Sequence, residues 1–201
     1  MTASTVIVLG GGLGGVVAAR RIRSLAPGAR VVLIERRALQ AFPPSYTWVM
    51  TGERTTSSIT RDLRRLSRKG IEVIEANVER IDPAARTVTA NGKPIAFDFL
   101  VIALGAELAM DAIPGLAEEA HTYYTADEAQ RLHEALAAFD GGRVAVLIPS
   151  LPYKCPAAPY EGALLLDTLF RKRGIRDRVE ISLSTPEPQP LPVAGSAPGS
   201  A

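Results

Sequence analysis

The sequence predicts an α/β fold made of two βαβ units with a small antiparallel meander between them. A β-branched run, TVIVL, leads straight into GGGLGG and then into a helical stretch. That order of strand, loop, helix and strand returns in the last third of the chain, as RVAVLIP, PYEGALLLDTLFRKRG and RVEISLS. Between the two, the hydrophobic period changes to two, interrupted by Asn91-Gly92, the residue pair that a tight hairpin turn prefers. A parallel strand pair joined through a helix is the arrangement that such alternation dictates.

Each element has its own signal. Thr5 to Leu9 reads as a short buried strand, and the helix after the glycines ends at Pro27-Gly28. Arg30 to Glu35 is a second buried strand. A loop with Phe42, two prolines, Tyr46 and Trp48 follows. A basic helix is expected from about Ser58 to Lys69, because Ile59, Leu63 and Leu66 recur at helical spacing and Gly70 closes the run. IEVIEANVERID, RTVTA and PIAFDFLVIALG then form the meander, which feeds into a parallel strand at Phe99 to Ala103. A helix is expected over Thr125 to Phe139, with Asp127 and Glu128 near its start, and Gly141-Gly142 stops it. Pro159 opens the last helix and Gly174 closes it. Three segments are expected: 1–108 and 109–185 around the two βαβ units, and an irregular tail over 186–201.

Composition narrows the function classes. The 201 residues carry 23 basic and 21 acidic side chains, a net charge of +2, which gives no polyanion signature and argues against nucleic-acid binding. The stretch RDLRRLSRKG is locally basic and reads as a solvated face. With one cysteine there is no intrachain disulfide and no thiol cluster for structural zinc. The N-terminus lacks a secretory pattern, and no apolar run approaches the roughly 18 residues of a spanning helix, so a soluble cytoplasmic location is expected. His121 and His133 have no acidic or thiol partners at ligand spacing, and no metal site is expected.

The first glycine loop carries a specific chemistry. Gly10, Gly12 and Gly15 form GxGxxG between a strand and a helix, and Glu35 ends the next strand 20 residues after the last glycine. Gly10 makes the turn, Gly12 lets a pyrophosphate approach the backbone, and Gly15 lets helix pack on strand. Leu13 and Gly14 lie between them at the helix N-terminus, where free N–H groups favour the phosphate charge. Glu35, followed by Arg36, would accept from a ribose 2′-hydroxyl and repel a 2′-phosphate. This is a Rossmann dinucleotide site, and its residues alone leave FAD and NAD open.

The second loop departs from that pattern. Its sequence is IPSLPYKCPAAPYE, in which Pro149, Leu151, Pro152 and Tyr153 take the places where a pyrophosphate needs bare backbone. No acid ends the strand that follows, where Ser184, Thr185 and Pro186 stand instead. The loop holds Cys155 just ahead of a helix, where the helix dipole and Lys154 favour the thiolate. A lone cysteine is more often a small buried residue, and it is the replaced loop that shifts the balance toward chemistry.

The N-terminal GxGxxG, the acid Glu35 and the later DFLVIALG resemble the pyridine nucleotide-disulfide oxidoreductase superfamily, with Leu104 in place of a usual threonine. Within it, the segment around KCPAAPYE resembles the sulfide:quinone oxidoreductases and the flavocytochrome c sulfide dehydrogenases, and the likeness runs on to TPEPQPLPVAG. The resemblance implies FAD as cofactor, with Val78 contacting adenine through its backbone and Ala103 and Gly105 beside the phosphates. It implies that Cys155 is one of a redox pair that takes up sulfide sulfur before electrons pass to FAD and then to quinone. Glu161 is implied as a proton-transfer carboxylate, beside its plainer role at a helix N-terminus.

The family's second cysteine and its C-terminal FAD and membrane-contacting segments are not among these residues. An N-terminal portion is therefore expected, with weak FAD retention and little turnover alone, completed by a homodimer partner or a complementing C-terminal half. In a longer form the protein would lie peripherally at the inner face of the membrane. Two alternatives stay open: an inactive FAD- or ADP-binding fragment, and a related flavoprotein acting on another thiol or polysulfide.

Overall fold

The computed structural model of the protein describes residues 3–192. The described residues divide into two compact units, one formed by 3–42 with 60–108, the other by 43–59 with 109–192. Residues 43–59, which the sequence assigns to the first segment, therefore pack in the second unit.

In the first unit β1 (Thr5–Leu9), α1 (Leu13–Leu25) and β2 (Arg30–Glu35) make the expected crossover, with parallel register from Thr5↔Arg30 to Leu9↔Ile34. A short antiparallel ribbon follows from β3 (Leu39–Ala41) and β4 (Thr60–Asp62). Next come β5 (Ile71–Glu75), the meander β6 (Val78–Asp82), β7 (Thr87–Ala90) and β8 (Lys93–Ala96), and then β9 (Phe99–Ile102). The parallel sheet runs β5-β2-β1-β9, and β6-β7-β8 is a separate three-stranded sheet. The single alternating run read over 71–82 is thus two strands in two sheets.

Burial explains the sheet order. Ile7, Val8, Leu9, Val32, Leu33 and Ile34 are wholly buried, because β1 and β2 are covered on both faces. Each such side chain contributes about 1.5–3 kcal/mol on leaving water. One face packs on the meander through Val88 and Ala90, the other on α1 through Ala19.

The second unit holds α2 (Tyr46–Met50), α3 (Thr56–Ile59), α4 (Leu116–Glu119), α5 (Ala126–Ala138), β10 (Gly142–Leu147), α6 (Ala158–Lys172) and β11 (Val179–Ser184). Strands β10 and β11 pair in parallel from Gly142↔Val179 to Leu147↔Ser184, so the second βαβ unit is present. Phe170 is wholly buried among Met50, Leu136, Val146 and Leu166. Thr125 caps α5 by accepting from the Glu128 N–H at 3.2 Å, and Arg173 closes its far end by donating to the Leu136 and Phe139 carbonyls.

Three expectations need correction. The stretch 58–69 is not one helix. The α3 turn ends at Ile59, β4 follows, and residues Leu63–Lys69 form a 3-10 turn closed by Gly70 at φ 74°. Asp62 is the cause: its carboxylate accepts from the Arg64 N–H at 2.9 Å and starts a new turn there. The loop after Phe42 contains a helix, α2, whose Val49 and Met50 are core residues. His133 is half-buried rather than exposed, its ring Nδ1 lying 3.3 Å from the Met50 carbonyl. Part of the expected irregular tail, residues 193–201, lies outside the described residues; residues 186–192 carry no strand.

Candidate functional site

The glycine loop of the first unit is shaped by close approach. Gly10 has φ 98°, and a Cβ there would overlap the Ala103 carbonyl; a Cβ at Gly15 would overlap the carbonyl of Gly10 itself. Neither residue tolerates a side chain. Gly12 and Gly14 are the reverse: a Cβ on either would meet nothing within 4 Å. Their backbone faces open space at the N-terminus of α1, the arrangement that admits a phosphate. Leu13, between them, is 49% exposed.

Beside this loop lies an open cavity of about 540 Å³, lined by Gly10, Glu35, Arg36, Val78, Gly105 and Glu107 among others. Glu35 sits at the end of β2, where its Oε2 accepts from the Gly11 N–H at 2.5 Å and its Oε1 from the Arg37 N–H at 3.3 Å. The carboxylate is thereby aimed at the loop. Arg36 reaches Glu107 at 2.7 Å, an ion pair between two walls of the cavity. Gly105 has φ 77° and open space where a Cβ would be. Ala103 is not on the cavity wall: its carbonyl packs against Gly10 and its N–H donates to Leu9. Two bare-backbone positions, a carboxylate at the strand end and an adjoining cavity fit the ADP half of FAD. Glu107 and Asn77, which also line the cavity, were not singled out from sequence; neither belongs to a motif.

The corresponding loop of the second unit is built from side chains. Cys155 is exposed and has φ 56°, a left-handed backbone that cysteine rarely adopts. Its carbonyl accepts from the Ala158 N–H at 3.0 Å and from the Tyr124 hydroxyl at 3.4 Å, tying it to the first turn of α6. Tyr123 lies across Gly162 and donates to the Ala158 carbonyl at 3.0 Å. Tyr153 donates to Glu187 at 2.9 Å and also approaches the Pro156 carbonyl at 3.2 Å. Burial, and then electrostatic interaction with neighbouring Cys155 and Tyr153, push the Tyr124 phenol up to about 12. Burial and the hydrogen bond to Glu187 push Tyr153 up to about 12 as well. All these phenols are therefore neutral donors at physiological pH.

Glu161 stands in the first turn of α6, and its Oε1 accepts from the Thr47 hydroxyl at 3.1 Å. Thr47 is one of two buried polar residues among the described residues, brought by α2. No local pattern pointed to it, because 114 positions separate the pair. Lys154 is exposed. Among the described residues no group of three or more His, Cys, Asp or Glu stands together as a metal site, and no helix is long and apolar enough to cross a membrane.

Comparison with known proteins matches both units. A family model described as pyridine nucleotide-disulphide oxidoreductase matches residues 4–147, and one for the central region of the flavoprotein chain of flavocytochrome c sulfide dehydrogenase matches residues 129–185. The sulfide-quinone reductase of Aquifex aeolicus is 36% identical over 92% of this chain and 44% of its own length. The mitochondrial sulfide:quinone oxidoreductase of Mus musculus is 30% identical over 90% of this chain and 41% of its own. The crystal structure of the Aquifex aeolicus sulfide:quinone oxidoreductase superposes with a TM-score of 0.86 at 34% identity, covering 96% of this chain and 46% of that one. The chain thus spans less than half the length of these relatives. With a glycine loop, strand-end acid and fold that agree with the match over most of its length, the chain belongs to the FAD-dependent pyridine nucleotide-disulphide oxidoreductase family and is similar within it to the sulfide:quinone oxidoreductases.

Proposed function

We propose that the protein is an FAD-dependent oxidoreductase that takes sulfide, or a related small sulfur species, at Cys155 and delivers two electrons to a quinone. One observation carries this reading. Where the second βαβ unit of a nicotinamide enzyme needs a bare glycine loop, this chain places a left-handed, exposed cysteine ringed by tyrosines, inside the segment matched by the sulfide dehydrogenase model.

The residues divide the work. Gly10 and Gly15 shape the phosphate loop, and Gly12, Leu13 and Gly14 offer their N–H groups to the pyrophosphate. Glu35 accepts from the adenosine ribose, Arg36 and Val78 flank the adenine, Gly105 closes the phosphate side, and Ala103 supports the glycine loop from behind through its carbonyl against Gly10. FAD, when bound, supplies a two-electron acceptor. Cys155 and hydrosulfide form a new S–S bond as a persulfide, which releases one proton and two electrons. Glu161, held by Thr47, takes the proton. Lys154 draws in the hydrosulfide anion. Cys155 is the only cysteine of the 201 residues, so a second thiol comes from outside them, from a complementing C-terminal half or a second copy. Quinone is met at the inner face of a membrane, to which the protein is peripheral.

Anaerobic sulfide titration of the chain with bound FAD and an added low-molecular-weight thiol, which supplies the second sulfur, tests this reading. The expected result is one added sulfur on Cys155 by mass spectrometry together with bleaching of the flavin, restored by a short-chain quinone. Cys155→Ser keeps the flavin and loses both changes. If sulfide leaves Cys155 unmodified and the flavin oxidised, the reading is wrong.

A further inference from the structure

The strand that follows the Cys155 loop ends without the acid a nicotinamide ribose would need, yet an acid stands three residues later and is fully engaged. Glu187 accepts from Tyr153 at 2.9 Å through Oε1, and from Tyr160 at 2.7 Å and Thr185 at 3.1 Å through Oε2. Burial opposes its charge, and these three hydroxyl donors outweigh it, holding the carboxyl below the ordinary value of 4.5. Tyr160 in turn accepts from the Leu191 N–H at 2.9 Å, so residues 185–191 are strapped to α6.

The two phenols that meet at Glu187 come from opposite sides of Cys155. Tyr153 is two residues before it, and Tyr160 is five after it on α6. The Tyr153 hydroxyl also reaches past the cysteine to the Pro156 carbonyl, so the chain from 153 to 156 closes on itself around Cys155. One phenol has one proton, and the nearer carboxylate is its better acceptor. Without Glu187 the Tyr153 hydroxyl is left with its 3.2 Å hydrogen bond to the Pro156 carbonyl of its own loop. The left-handed backbone at Cys155 needs that restraint, because cysteine relaxes to negative φ when free to do so.

We propose that Glu187 is a positioning residue: by clamping Tyr153 and Tyr160 together it holds the Cys155 loop in the shape that presents the thiol. The catalytic meaning of this clamp rests on Cys155 being the sulfur acceptor. The clamp itself can be tested without sulfide.

Exposed Lys154, inside the loop, offers a tryptic bond next to Cys155 that is cut only when the loop opens. Loss of a charged hydrogen bond raises the open population about tenfold or more, so Glu187→Ala is expected to be cut at Lys154 about tenfold faster than the unmodified chain. Glu187→Gln, which keeps an acceptor oxygen, is expected to stay within about threefold. Tyr153→Phe should match Glu187→Ala, and the double variant should be cut no faster than either, because both break one clamp. As the only thiol, Cys155 gives a second reading: its labelling by an aromatic disulfide changes in Glu187→Ala and returns in Glu187→Gln. Tyr153→Phe decides the matter should Glu187→Ala not fold. Equal cutting in all variants, or additive effects in the double variant, overturns the clamp. Should Cys155 take no sulfur from sulfide while this cutting pattern holds, the sulfur-acceptor reading falls and the clamp stands.

Discussion

The third glycine of the phosphate loop rests against the first: a Cβ at Gly15 would occupy the space of the Gly10 carbonyl oxygen. The loop is therefore as tight as its backbone permits, and the two outer glycines are fixed by the protein itself. Gly12 and Gly14 face open space instead.

That division separates stability from binding. Gly15→Ala is expected to destabilise the protein by about 1–3 kcal/mol through overpacking, read as a lower urea midpoint. Gly12→Ala should unfold within about 0.5 kcal/mol of the unmodified chain while FAD affinity, measured by fluorescence quenching, falls by about tenfold or more.

A left-handed cysteine costs stability at its own backbone. Cys155→Gly removes the Cβ conflict at φ 56° and is expected to raise unfolding stability by about 1 kcal/mol. Cys155→Ala keeps the conflict and should show no such gain in denaturant melts.

The ion pair between Arg36 and Glu107 joins exposed side chains and is expected to matter to the ligand more than to the fold. Glu107→Gln should change unfolding by less than about 1 kcal/mol. FAD dissociation in that variant should lose part of its dependence on salt concentration.

Asp167 accepts from Arg171 at 2.7 Å and from Arg176 at 2.5 Å, and these hydrogen bonds hold its carboxyl below the ordinary 3.8. A depressed folded value places its stabilisation above pH 3.8 and removes it as pH falls through the depressed value. Asp167→Asn should melt lower than the unmodified chain at pH 7, with the difference closing in acid.

Much of this architecture is legible in the residues because it is local. The apolar run of β1, the glycines after it and the apolar run of β2 each constrain a few neighbouring positions, and the structure returns those strands at the same residues. The stretch 58–69 misled because Ile59 and Leu63 are both buried at helical spacing, yet they belong to different units and are separated by the turn at Asp62. The Cys155 loop was visible as an exception to a glycine pattern. Its supports were not: Tyr153 and Glu187 are 34 positions apart and meet only because β10, α6 and β11 fold back in parallel. Thr47 and Glu161 depend on an excursion of the chain that no periodicity announces.

That excursion limits how the protein can be dissected. The chain passes between its two units at 42/43, 59/60 and 108/109, so no single scission separates them. A polypeptide beginning at residue 109 would lack Val49 and Met50 and open a hole in its own interior. Recombination or engineering that exchanges the second unit must carry residues 43–59 with it, as a graft of two pieces.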